Sequence, residues 1–365
     1  MTQDLPLPSG VQSRYVETDL DLNVHYLEAG DVSDPVLLLL HGFPELSFSW
    51  RKVMVPLATA GYRVIAPDQR GYGRTTGWIN GYDIDLEPYR MSSLVLDQVA
   101  LLQALEIEAV HAVVGHDFGS PVAAWAGLIR PDIFQKVVLM SAPFGGPPRI
   151  ADVGVDFDAS LGALDSPRKH YQWYYSEPFA EQDMFGCQQG FEQFLKQYYF
   201  LKSAHWRVNQ PHPLSSWRAE ELEVMPGYYI MPRTQNMAEV VAADSRDEDL
   251  DAIDEWLSDD ELAVYAEEFS RSGLQGGLNW YRASTSTRQR QGLMLYSGST
   301  IDVPLIFISG AQDWGMYQSP GALEAMQRRS CSDFRGLYVI PEAGHWVQQE
   351  QPRAVVSVLM DFFQS

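Results

Sequence analysis

Three acid–base residues of this chain each stand just beyond a short apolar run. Asp117 follows HAVVGH (111–116), Asp313 follows VPLIFIS (303–309) after three residues, and His345 follows LYVI (337–340) after four. A carboxylate, a second carboxylate and an imidazole, in that order, can act as nucleophile, orienting group and general base if the fold gathers them. Each is weak evidence alone, since an aspartate after a strand is commonly a helix cap. Together, the positions after strand-like runs, the order, the glycines at 115 and 119 and the GHW around His345 point to one site.

The elements that must position them can be read from periodicity. VLLLL (36–40), YRVIAP (62–67), HAVVGH and KVVLM (136–140) are continuous apolar runs, the pattern of strands buried on both faces. SLVLDQVALLQAL (93–105) has helical spacing and predicts a crossover helix. Strands alternating with helices predict an α/β fold with an open, mostly parallel, doubly wound sheet, which binds ligands at the carboxyl ends of its strands. The pattern stops at APFGGPP (142–148), resumes at VPLIFIS and LYVI, and closes with the helix PRAVVSVLMDFF (352–363). The expected division is a core of residues 1–145 and 296–365 interrupted by a helical lid of residues 146–295. Within that lid, SDDELAVYAEEF (258–269) predicts a helix with a Ser258–Glu261 capping box and Gly273 as its C-terminal cap. The acidic run DSRDEDLDAIDE (244–255) predicts a solvated face or loop.

Composition limits the partners. With 26 Lys and Arg against 48 Asp and Glu, the net charge of −22 disfavours nucleic acid and anionic membrane surfaces. The two cysteines, Cys187 and Cys331, make no disulfide framework, and no C-x-x-C or H-E-x-x-H spacing suggests a metal, so no metal is expected. MTQDLPLPSG lacks the basic and apolar regions of a signal peptide, and no apolar stretch reaches membrane-spanning length; a cytoplasmic protein is expected. The expected partner is a small molecule, with monomer and homodimer both open.

VVGHDFGS (113–120) has the outline of the sharp strand-to-helix turn that exposes a nucleophile, with Asp117 at its middle. HGFPE (41–45) directly follows VLLLL, so the amides of Phe43 and Phe118 are the expected oxyanion hole, and Pro44 is a candidate for a cis bond holding that loop in a tight turn. RGYGRT (70–75) reads as a supporting turn. A serine at this elbow would attack a carbonyl carbon and become an acyl-enzyme. An aspartate attacks a saturated carbon and becomes part of an ester itself, so Asp117 selects alkyl transfer over acyl transfer. Trp173, among the lid aromatics, and Pro44 are candidates for lining the substrate pocket.

HGFPELSFSWR (41–51), DQRGYGRT (68–75), GHDFGS (115–120), YQWYYSEP (171–178), GLNWYR (277–282), AQDWG (311–315) and AGHW (343–346) together carry a resemblance. Over nearly its whole length the chain resembles the epoxide hydrolases of the α/β-hydrolase fold. The first three segments and the last are shared broadly with related hydrolases; the two tyrosine-bearing segments are more specific. The resemblance implies detoxifying hydrolysis of an epoxide to a vicinal diol without a cofactor. It implies Asp117 as nucleophile, a hydroxyalkyl-enzyme ester, and His345, oriented by Asp313, as the base that activates water. It implies Tyr171 and Tyr281 as donors to the epoxide oxygen, with Tyr174 and Tyr175 close enough in register to replace Tyr171.

Two other readings compete. Haloalkane and haloacid dehalogenases use the same aspartate, but Phe118 brings no donor for a departing halide and Gly119, Ser120 and Pro121 bring no arginine for a carboxylate. A halide also leaves without a proton, which gives a phenol pair no task. A non-catalytic small-molecule receptor on the same fold is the other reading, against which stands the full set of catalytic residue types.

Overall fold

The computed structural model describes residues 4–149 and 157–364. Its centre is an eight-stranded sheet. In chain order its strands begin β1 (Gln12–Glu17), β2 (Asn23–Ala29), β3 (Val36–Leu40), β4 (Arg63–Pro67), β5 (Ala112–His116) and β6 (Val137–Met140). After the short lid strands β7 (Arg168–His170) and β8 (Ile230–Pro232), it is completed by β9 (Leu305–Gly310) and β10 (Phe334–Ile340). The spatial order is β1-β2-β4-β3-β5-β6-β9-β10, with β4, β3, β5, β6, β9 and β10 parallel and the β1–β2 hairpin joined antiparallel to β4. Every residue of β3, β4, β5, β6 and β9 is buried, which is why these strands read as unbroken apolar runs.

Helices cover both faces, as parallel connections require. They include α1 (Arg51–Thr59), α2 (Met91–Ala104), α3 (Gly119–Ile129) and the C-terminal Pro352–Phe363. One apolar cluster fills the face that holds Leu38, Val113, Leu139 and Phe307 and continues into the lid through Tyr171, Tyr199 and Tyr281. The other holds Leu37, Leu39, Val114, Val138, Ile308 and the C-terminal helix through Val355, Leu359 and Phe363. Both faces of the sheet are therefore sealed, and the strand ends are the place left for chemistry.

Between β6 and β9 the described residues form mainly helices, among them α4 (Tyr171–Tyr175), α5 (Phe191–Lys202), α6 (Met237–Asp244), α7 (Asp259–Ser272) and α8 (Gln275–Ser284). The expected capping box of α7 is present: Ser258 Oγ accepts from the Glu261 N–H at 3.4 Å, and Glu261 Oε2 accepts from the Ser258 N–H at 3.1 Å. Gly273 ends the helix at φ 79°, a conformation open mainly to glycine. The acidic run is largely exposed, and two of its acids, Asp251 and Asp254, join Asp259 around the Lys196 ammonium at 2.8, 3.4 and 2.9 Å. Two features depart from the sequence reading. β1 and β2 form a hairpin that was not anticipated, because β1 is an exposed edge strand without an apolar run. The lid also carries the antiparallel β7–β8 pair, each strand only three residues long.

Candidate active site

β5 delivers Asp117 to the centre of the sheet edge. Its φ is 51°, in the left-handed region that costs a non-glycine residue energy and persists where the surroundings enforce it. The enforcement is visible. The Asp117 N–H donates to Met140 O at 3.2 Å, and its carbonyl accepts from the Ser120 N–H at 3.1 Å as α3 begins. Gly119 lets α3 start against the neighbouring strand, since a Cβ there would lie 2.2 Å from Leu40 O.

The two carboxylate oxygens of Asp117 have different surroundings. Oδ1 accepts from the Phe43 N–H at 2.9 Å. Among the described residues the Phe118 amide makes no hydrogen bond to this carboxylate; it lies against Gly42, where a Cβ would be 2.7 Å from Phe118 N. The Phe43–Pro44 peptide is cis, and Pro44 O accepts from the Tyr199 hydroxyl at 2.7 Å, so Pro44 faces the lid helix α5 through its carbonyl. Oδ2 of Asp117 lies 3.2 Å from His345 Nε2, which is not aligned as a hydrogen bond to it. Burial works to raise the Asp117 pKa, but the close contact and charge of His345, with Lys202 and His116 beyond, outweigh it. The carboxyl is held below its ordinary range and stays ionised.

His345 follows β10 and is almost fully buried. Its Nδ1 faces Asp313 Oδ1 at 3.1 Å and Ser141 Oγ at 2.8 Å. A carboxylate only accepts, so Nδ1 carries a proton toward Asp313, while Nε2 is the ring nitrogen turned to the Asp117 carboxylate. Asp313 in turn accepts from the Gly315 N–H at 2.7 Å. Burial raises its pKa, but His345, Ser141 and that N–H bring it below the usual value.

The lid contributes the phenols. Tyr171 and Tyr281 are buried with ring centroids 5.9 Å apart, and Tyr281 stands edge-on to Phe118 at 5.0 Å and to Phe43 at 5.5 Å. The Tyr171 hydroxyl donates to Gln318 Oε1 at 2.9 Å and accepts from Gln172 Nε2 at 3.2 Å. Burial first, and the Asp117 charge second, raise both phenols well above 10. The neighbouring tyrosines are engaged elsewhere: Tyr174 donates to Asp183 at 3.1 Å, and Tyr175 to the Tyr198 hydroxyl at 3.3 Å. Trp173 is half-buried, edge-on to His170, and lines an open groove of about 1080 Å³ shared with Pro143, Trp217 and Gln289. That places it beside a groove whose described walls do not include Asp117, Tyr171 or Tyr281.

Five residues around the site were not singled out from sequence. Ser141, at φ 70° just after β6, shares the Nδ1 proton of His345. His116 is buried between Glu45 Oε2 at 2.6 Å and His345 O at 2.7 Å. Lys202 ends α5 with its ammonium over the rings of Tyr198, Tyr228, Tyr229 and Trp346 at 5.1–5.8 Å. Glu350 accepts from backbone on both sides of His345. Glu45 and His116 lie inside quoted segments and Ser141 directly after a strand run, but nothing in the local sequence marks Lys202 or Glu350. Trp280, beside Phe118 at 5.2 Å, donates its indole N–H to Arg70 O at 2.9 Å, so it offers no donor to a halide. Among the described residues no cluster suits a metal ion, and no helix is long and apolar enough to cross a membrane.

Comparison with known proteins places this geometry. The family model of the alpha/beta hydrolase fold matches residues 35–352. Epoxide hydrolase A of Mycobacterium tuberculosis (strain ATCC 25618 / H37Rv) is 32% identical over 359 residues, covering 96% of each chain. Epoxide hydrolase B of the same organism is 33% identical over 344 residues, 91% of this chain and 92% of its own. Among solved structures, an epoxide hydrolase from an endophytic Streptomyces superposes with a TM-score of 0.78 at 31% identity, covering 98% of this chain and 96% of that one. Potato (Solanum tuberosum) epoxide hydrolase I gives 0.75 at 30% identity, covering 97% and 99%. The chain belongs to the epoxide hydrolases of the α/β-hydrolase fold.

Proposed function

We propose that this protein opens epoxides to vicinal diols in two steps through a covalent ester of Asp117. Residues 1–145 and 296–365 serve as the core that holds the triad, and residues 146–295 as the lid that brings the phenols. In the first step Asp117 Oδ2 attacks an epoxide carbon and the ring C–O bond breaks. The alkoxide takes a proton from Tyr171 or Tyr281, leaving a tyrosinate and a hydroxyalkyl ester. In the second step His345 Nε2 takes a proton from water, and the hydroxide adds to Cγ of Asp117. The Phe43 amide, joined by that of Phe118, holds the charge on Oδ1. The Cγ–Oδ2 bond breaks, the diol leaves with the proton from His345, and the carboxyl returns a proton to the tyrosinate.

The observation that carries this reading is the pairing of unlike acids. A carboxylate held ionised by its surroundings sits near two buried phenols held neutral by theirs. An ionised nucleophile and a protonated donor are what epoxide opening requires at the same pH, whereas a departing halide needs no donor. The supported substrates are an epoxide and water, with the lid aromatics, Trp173 included, as candidates for binding the rest of the substrate.

The test is the intact mass of His345→Gln after mixing with styrene oxide. The expected result is a gain of one substrate mass mapped to the peptide that holds Asp117, and no gain in Asp117→Ala. An adduct formed with haloalkanes and with no epoxide of a panel would overturn the reading in favour of dehalogenation.

A further inference from the structure

Glu350 ends a one-turn helix, Val347–Glu350, five residues beyond His345. Its two carboxylate oxygens are occupied by backbone. Oε1 accepts from the Trp346 N–H at 3.0 Å and the Gly344 N–H at 3.1 Å. Oε2 accepts from the same Gly344 N–H at 3.0 Å and from the Ala204 N–H at 2.9 Å. The peptide groups on either side of the catalytic histidine thus converge on one carboxylate. The remaining groups of His345 are also claimed: its N–H donates to Lys202 O at 2.8 Å, and its carbonyl accepts from His116 Nε2 at 2.7 Å.

Two physical points give this arrangement a direction. First, every group facing Glu350 in these bonds is a donor, which only the ionised carboxylate satisfies on all sides; burial pushes the carboxyl up to about 7, and the Ala204, Gly344 and Trp346 N–H groups pull against that rise. A glutamine there would turn its NH₂ against an N–H. Second, Lys202 and Ala204 lie at the end of α5, in the lid, whereas Gly344, His345 and Trp346 belong to the loop after β10. Trp346 adds a further tie, its indole N–H donating to Tyr199 O at 2.9 Å. The loop that carries the base is therefore built onto the lid, and Glu350 is the joint.

We propose that Glu350 is a positioning residue for the hydrolytic step alone: it sets the His345 imidazole where Nε2 reaches the water that attacks the Asp117 ester, and it ties that placement to the seating of the lid. The proposal rests on the two-step reading above. Alkylation uses Asp117 and the phenols, none of which Glu350 touches. Hydrolysis uses His345, whose flanking peptides it holds.

The experiment is single-turnover kinetics with styrene oxide, following the ester by intact mass against time, in wild type, Glu350→Gln, Glu350→Asp and His345→Gln. In Glu350→Gln the alkylation rate constant should stay within about twofold of wild type. The hydrolysis rate constant should fall about tenfold or more, because small misplacements of a catalytic group are expensive, and ester should accumulate at steady state. Glu350→Asp keeps the carboxyl group but withdraws it by one methylene, and should show the same split to a smaller degree. This variant carries the test if the glutamine variant fails to fold. A merely structural residue would lower thermal stability and leave both rate constants per folded molecule unchanged, or lower both together; either result overturns the proposal. Ester absent from His345→Gln as well would overturn the two-step reading and this inference with it.

Discussion

Tyr281 stands edge-on to Phe43 and Phe118, the residues on either side of the Asp117 elbow, and Tyr171 packs edge-on against Tyr281. Both are raised well above 10 by burial and by Asp117, so each keeps its proton where an ordinary phenol begins to lose it. Wild-type alkylation should therefore show no loss between about pH 8 and about pH 10, the interval in which an ordinary phenol begins to ionise. Tyr281→Phe should slow alkylation by about 10- to 100-fold across that whole interval, with Tyr171 supplying the residual donation. A stopped-flow pH series of the two proteins checks both statements; a wild-type decline centred near 10 would point to a solvent-exposed donor. At this scale the sequence was readable where a residue's place at a strand end follows from its own neighbours. Asp117, Asp313 and His345 each trail an apolar run. Ser141, Glu45, His116, Lys202 and Glu350 act through partners that the fold brings from elsewhere, His116 from 71 positions away in the case of Glu45. Nothing local distinguishes such residues from any other polar side chain.

The strand–turn–helix around Asp117 works because two backbones approach closely. Gly42 shows the tolerance: a Cβ there would lie 2.4 Å from Asp117 Oδ1 and 2.7 Å from Phe118 N. Gly42→Ala should slow alkylation by about 100-fold or more, because the added Cβ displaces the Asp117 side chain and the Phe118 amide and moves the proposed nucleophile off its line. Circular dichroism and single-turnover rates check this; a variant with wild-type alkylation would show that the elbow can shift without cost. The elements themselves were legible in proportion to their burial. β3, β5 and β6 are buried throughout and were read nearly to the residue. β1 exposes most of its residues, and its pairing is decided by β2 rather than by any pattern of its own, so the hairpin escaped. The capping box of α7 was legible because its chemistry is local; the β7–β8 pair was not, because three residues carry no period.

On the scale of the whole molecule the lid is fastened to the core. Arg51 of α1 pairs with Glu261 of α7 at 2.7 Å, and Arg74 with Glu268 at 2.7 Å. Gly71 and Gly276 meet so closely that a Cβ on Gly276 would lie 2.1 Å from Gly71 O. The same fastening bears on the fate of single atoms. Because the Phe43 N–H occupies Oδ1 of Asp117, the oxygen free to attack is Oδ2, and in the proposed second step that oxygen departs inside the diol. In water labelled with oxygen-18, one turnover at excess enzyme should release unlabelled diol and leave the protein heavier by one isotopic substitution at Asp117; label appears in diol only from the second turnover. Mass spectrometry of product and peptide reads both, and labelled diol in the first turnover would mean that water attacks the epoxide directly. The polypeptide is then a reagent as well as a catalyst. In the proposed mechanism it surrenders an atom of its own side chain to every product molecule and is made whole again from solvent.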